Sequence, residues 1–160
     1  MSLSLPPSPQ TTPSKTTHME RALALAREAA EAGEVPVGAV VTLRGAVVAE
    51  ARNETLALHD PTAHAEVLAI RRAGAALGSQ RLVGCNLHVT LEPCAMCAAA
   101  ISFARIERLY FGAGDAKGGA VLHGPRLFQQ PTCHHAPEVY DGIAADEAER
   151  LLHAFFAERR

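Results

Sequence analysis

Two short runs, His64-Ala65-Glu66 and Pro93-Cys94-Ala95-Met96-Cys97, constrain this chain more than any other feature, because the fold must bring distant ligand-type side chains to one point. Each run sits where a helix is expected to begin. Asp60-Pro61-Thr62 offers a capping carboxylate and then a proline whose missing N–H costs nothing, which predicts a helix from about Thr62 to Leu77, stopped by Gly78. Pro93 opens a second helix that runs to about Ala104. Cys94 and Cys97, three apart on a helix, share a face and reach one ion, and thiolates at a helix N-terminus are favoured as ligands. His64 adds an imidazole from the other helix. Three N/S donors describe zinc with its fourth position open, the arrangement of a catalytic site. A structural site needs a fourth ligand, for which Cys85, Cys133, His134 and His135 are the candidates.

Glu66 decides what such a centre does. Residues two apart on a helix point in nearly opposite directions, so His64 and Glu66 serve one site only if it lies at the helix end. A carboxylate beside a zinc-bound water takes the water's proton and later delivers protons to a departing amine. A noncatalytic zinc-stabilised RNA-binding module, the competing reading from another class, has no use for Glu66.

The rest of the chain supplies a scaffold. Residues 1–17 hold four Pro, four Ser, four Thr and the single charge of Lys15, too little apolar surface to offset ordering entropy, and read as a flexible leader. From there residues 18–160 form one domain. Thr17 and Glu20 fit a capping box, and Met19, Leu23, Ala26 and Ala30 recur at helical spacing up to Gly33. Val37 to Leu43 and Ala46 to Ala51 read as a hairpin about Arg44-Gly45. Leu87, Val89 and Leu91 alternate as a strand, Arg108 to Phe111 form the next, and an amphipathic helix spans about Ala145 to Ala157. Such alternation implies an α/β sheet covered by helices on both faces. The net charge of −2 excludes a polybasic binder, so any nucleic-acid affinity must come from a local pocket and a local cluster of arginines. No window is long and apolar enough for a membrane span, and no signal-peptide layout is present, so the expectation is a cytoplasmic protein.

H-x-E followed by P-C-x-x-C is the signature of zinc nucleobase deaminases. The likeness runs further. Glu34-Val35-Pro36-Val37-Gly38-Ala39-Val40, His59-Asp60-Pro61-Thr62-Ala63-His64-Ala65-Glu66, Thr90-Leu91-Glu92-Pro93-Cys94-Ala95-Met96-Cys97, Phe111-Gly112-Ala113, Asp115-Ala116-Lys117, Phe155-Phe156 and Arg159-Arg160 resemble the bacterial tRNA-specific adenosine deaminases over about residues 18–160. The resemblance implies a cytidine deaminase-like fold, a three-layer α/β/α sandwich around a five-stranded mixed sheet. It implies a homodimer with one zinc per chain that converts adenosine to inosine at the wobble position of a tRNA anticodon stem-loop. It assigns His64, Cys94 and Cys97 to the metal and Glu66 to proton transfer. Asn53 is then expected to hydrogen-bond the base, the Ala65 N–H to help read it, and Val37 to pack on it.

The same resemblance brings the last helix, with Phe156, Arg159 and Arg160, towards the anticodon stem-loop. Departures fall in one segment. Many bacterial members carry a Gly-Ser-rich loop with an Asp and later an Asn-His pair, where this chain has His123-Gly124-Pro125-Arg126-Leu127-Phe128 and then Cys133-His134-His135. Arg126, in place of an acidic residue, is a candidate phosphate contact. The alternative activity is deamination of a free nucleobase or nucleoside, guanine or cytosine, since pocket edges and loops decide among amino-heterocycles.

Overall fold

The computed structural model describes residues 15–159, with side chains from His18 onward. Helix α1 (Lys15–Glu31) starts inside the expected leader, the remainder of which lies outside the described residues. Thr17 is therefore within the helix and not at its cap, a correction to the capping-box reading. The buried face of α1 is Met19, Ala22, Leu23, Ala26 and Ala29, the i, i+3, i+4 stripe that a helix lying on a sheet requires.

Strands β1 (Gly38–Leu43) and β2 (Ala46–Arg52) form the expected hairpin. Arg44 and Gly45 both have positive φ, 52° and 80°, as a two-residue turn of the favoured hand requires. Helix α2 (Ala65–Leu77) leads to β3 (Cys85–Leu91), helix α3 (Ala95–Ala104) to β4 (Arg108–Ala113), and a long connection containing a 3-10 turn at Leu127–Gln129 to β5 (Glu138–Tyr140). Helix α4 (Ala145–Ala157) closes the described chain. The sheet order is β2-β1-β3-β4-β5, antiparallel as far as β3 and parallel from β3 to β5.

Alternation along the strands divides the core. Ala39, Val41, Leu87, Val89, Leu109 and Phe111 face α2 and α3, where they meet Leu68, Ala98 and Ile101. Val40 faces α1 and α4 with Met19, Leu23 and Ala148. The three-layer α/β/α sandwich with a five-stranded mixed sheet is the observed fold. Among the described residues no helix is long and apolar enough to cross a membrane.

This topology gathers the functional segments. Because β1 runs antiparallel to both neighbours, its start, the end of β2 and the end of β3 lie at one edge, where Gly38 pairs with Arg52 and Ala39 with Val89. The end of parallel β4 joins them, with Leu91 opposite Ala113. Loops at the carboxyl ends of parallel strands are where such sheets place their sites.

Candidate active site

Two helices begin later than their sequence suggests, and the delay places the donors. Asp60 caps a turn, not a helix: its Oδ1 accepts from the Thr62 N–H at 2.9 Å and the Thr62 hydroxyl at 2.7 Å. Helix α2 starts at Ala65, so His64 occupies the N-cap position with extended backbone. Helix α3 likewise starts at Ala95, with Cys94 as its N-cap. The two cysteines therefore meet at a helix tip and not along a helical flank. Ala65 opens α2 with its methyl group in the core, and its N–H is among the first-turn donors that lack an intrahelical partner.

The two tips converge. His64 Nδ1 lies 3.6 Å from Cys94 Sγ and 3.4 Å from Cys97 Sγ, and the three donor atoms all fall within 4.8 Å of one another. Zinc with ordinary Zn–N and Zn–S bonds in a tetrahedron needs N···S separations of about 3.6 Å, so the donor set fits that ion. Among the described residues these are the only three His, Cys, Asp or Glu so grouped. Cys85 is buried in the core, and Cys133 lies 3.5 Å from the Ser102 hydroxyl, so neither completes a four-ligand structural site. His135 bonds the Ile106 carbonyl at 2.7 Å.

Electrostatics suit metal capture. The hydrogen bond with Cys97 brings the Cys94 thiol down to about 4 against the effect of burial, with His64 assisting. Cys97 is pushed up by the neighbouring Cys94 sulfur and by burial. His64 is raised by its bond to Cys94. Glu66, only 4% exposed, is raised by burial, which favours a carboxyl that holds and releases a proton over one that is permanently charged.

A cleft of about 280 Å³ opens on this cluster, lined by His64, Glu66 and Cys94 together with Val35, Val37, Asn53, Thr55, Leu91, Glu92, Asp115 and Gly118. Of the substrate contacts expected from sequence, Val37 and Asn53 thus sit on its wall. A wider groove of about 900 Å³ continues from Asp115 and Gly118 past Lys117 to His153, Phe156, Ala157 and Arg159 of the last helix. Phe156 is 47% exposed there, whereas Phe155 is buried. The Arg159 guanidinium lies 3.5 Å above the Phe155 ring and donates to the Phe155 carbonyl. Arg126 lines neither cavity and donates to the Leu122 carbonyl at 3.1 Å. Arg160 lies outside the described residues.

Two buried carboxylates were missed as site residues. Glu34 accepts from the N–H groups of Leu56 and Ala57 and from the Thr55 hydroxyl, fixing the loop that carries Thr55. Glu92 performs the same service for the segment that follows β4: backbone N–H groups of Asp115, Val121, Leu122 and His123 all donate to it. Burial pushes the Glu92 carboxyl up, but these N–H groups and the His123 ring outweigh it and hold the group below the usual carboxylate range. Both glutamates stand inside quoted motifs, and an acidic residue flanked by apolar neighbours was the available signal.

Three N and S donors at two helix tips, with a buried carboxyl beside them in a cleft, define a zinc-dependent hydrolase. The family model of the cytidine and deoxycytidylate deaminase zinc-binding region matches residues 12–113. A tRNA-specific adenosine deaminase of Agrobacterium fabrum is 60% identical over 146 residues, 91% of this chain and 96% of its own. A solved structure from a study of A-to-I editing by tRNA:A34 deaminases at the wobble position of transfer RNA superposes with a TM-score of 0.85 at 60% identity, covering 86% of this chain and 99% of that one. A guanine deaminase from Bacillus subtilis, 34% identical, superposes with a TM-score of 0.61 over 89% of this chain and 92% of its own. The chain belongs to the cytidine and deoxycytidylate deaminase family and, within it, to the tRNA-specific adenosine deaminases.

Proposed function

We infer that this chain hydrolyses adenosine to inosine at the wobble position of a tRNA anticodon, releasing ammonia. The observation that carries the reading is the 60% identity to the Agrobacterium fabrum enzyme along almost the whole of both chains. His64, Cys94 and Cys97 are the residues that hold the zinc. The ion, when bound, supplies the Lewis acid that makes water a nucleophile near neutral pH. Glu66 takes the proton of the attacking water and returns protons to the purine ring and the departing amino group, a task suited to its raised pKa. Asn53 offers donor and acceptor to the purine edge, the free Ala65 N–H offers a second donor, and Val37 packs on the base.

The groove beyond Asp115 supports a polymeric substrate. A free base fills the inner cleft alone, whereas Lys117, Phe156 and Arg159 offer charge and an aromatic face to the flanking nucleotides. Arg126 and Arg160 are the remaining candidates for tRNA phosphates. We place the enzyme in the cytoplasm, where its substrate is, and read it as a homodimer in which a second copy covers the exposed Leu56 and Leu58 beside the cleft and Phe103 on α3.

The test is direct. Purified protein is incubated with an anticodon stem-loop bearing adenosine at the first anticodon position, and separately with free adenosine, guanine and cytosine, and inosine and ammonia are measured. Inosine in the stem-loop alone is the expected result. Ammonia from guanine or cytosine, with an untouched stem-loop, replaces this reading by the free-base alternative.

A further inference from the structure

The segment between β4 and the 3-10 turn walls both the cleft and the groove, yet contains no regular secondary structure between Gly114 and Arg126. Backbone donors in such a segment need partners, and four of them find the same one. Glu92, whose side chain is fully buried, follows the last residue of β3; its Oε1 accepts the Asp115 N–H at 3.1 Å and its Oε2 the N–H groups of Val121, Leu122 and His123 at 3.0 to 3.2 Å. The His123 ring adds a fifth contact, Nδ1 at 2.6 Å from Oε1, and since a carboxylate only accepts, Nδ1 carries the proton.

Room for this carboxylate is built into the chain. A Cβ on Gly119 would lie 2.4 Å from Glu92 Oε2 and 2.4 Å from the Asp115 carbonyl, so only glycine lets the segment close over the anchor. Asp115, held at its own N–H by Glu92, in turn accepts from the N–H groups of Lys117 and Gly118. One buried group thus orders a chain of contacts that ends at residues lining the cleft and the groove.

We propose that Glu92 is a positioning residue for the polynucleotide substrate, and that His123 is its side-chain clasp: together they hold residues 114–123 as a fixed wall onto which the flanking nucleotides dock. The proposal rests on the tRNA reading above. His123 is 42% exposed at its side chain while Glu92 is sealed, so the clasp is the half that can be removed without emptying a core position. The wall touches the nucleotides around the target base more than the reacting atoms, so loosening it raises KM before it lowers kcat.

The experiment uses the zinc-loaded full chain and compares His123→Ala, His123→Asn and Glu92→Gln with the parent. An Asn amide places an N–H close to where Nδ1 stands, whereas Gln at position 92 turns one acceptor into a donor facing N–H groups. With zinc content unchanged, His123→Ala should raise KM for the stem-loop by about tenfold with kcat within about threefold, and His123→Asn should restore most of it. Amide hydrogen exchange over residues 114–123 should quicken by about tenfold in His123→Ala and more in Glu92→Gln. Unchanged exchange in both variants overturns the anchor. Faster exchange with unchanged KM overturns the docking role and leaves Glu92 a merely structural group. If the parent protein leaves the stem-loop untouched, the substrate reading fails on that result alone, and with it the docking role, while the exchange data still decide whether Glu92 orders the wall.

Discussion

Glu66 and Cys94 line one cleft yet answer to different constraints, and substitution separates them. Glu66 is placed by the first turn of α2, and on the proposed mechanism it acts through its protons, so Glu66→Ala should keep one zinc per chain while inosine formation falls at least about a hundredfold, measured by metal analysis beside the stem-loop assay. Loss of zinc together with activity would make the carboxylate structural. Cys94→Ser removes the thiolate that the site already favours, and should release the metal and lower the melting temperature together, because metal binding contributes to folding. The donors and Glu66 were legible in the sequence because each motif carries its ligands within a few residues. Glu34 and Glu92 were not, because their partners at 55–57 and 115–123 are distant in the chain and are mostly backbone N–H groups, which no residue type marks.

Among elements, the contact between α1 and β1 is the least forgiving. A Cβ on Gly38 would lie 2.0 Å from the Ala22 carbonyl oxygen and 2.8 Å from the Leu25 Cβ, both on the helix. Gly38→Ala must push α1 off the strand and should cost about 1–3 kcal/mol by chemical denaturation. It borders Val37, so the cleft wall moves with it. Gly33→Ala, at φ 81° with nothing nearby, should cost only the left-handed strain, about 1 kcal/mol. The same helix carries His18, buried against the sheet with its ring 4.8 Å from His88, itself stacked 4.8 Å from Tyr110. Burial lowers the His18 pKa below 6.5, so the unfolded chain binds a proton that the folded one resists. Stability from this term is full above 6.5 and is lost as pH falls toward the lowered folded value. His18→Leu should therefore flatten the fall in melting temperature as pH drops below 6.5. Period-two and helical patterns located α1, the hairpin, β3, β4 and α4. They missed β5, whose three residues are too few to show alternation, and they started α2 too early because Asp60 caps a turn with the same chemistry that caps a helix.

For the molecule as a whole, a net charge of −2 offers phosphate no general attraction, and affinity for an anionic substrate must arise locally. Lys117 and Arg159 both line the groove, and their double alanine variant should weaken stem-loop binding and flatten the slope of log affinity against log salt by about 0.7 for each phosphate no longer neutralised. Filter binding or anisotropy across a salt series measures both quantities. The number of strands and the mixed direction of the sheet came from the family likeness and the strand order only from the structure, since apolar spacing says which face is buried and nothing about which neighbour is paired. The antiparallel course of β1 has a practical corollary. It carries the Arg44-Gly45 turn to the end of the sheet remote from every donor, so a dye, an affinity peptide or a whole fused protein spliced there would leave the catalytic chemistry undisturbed.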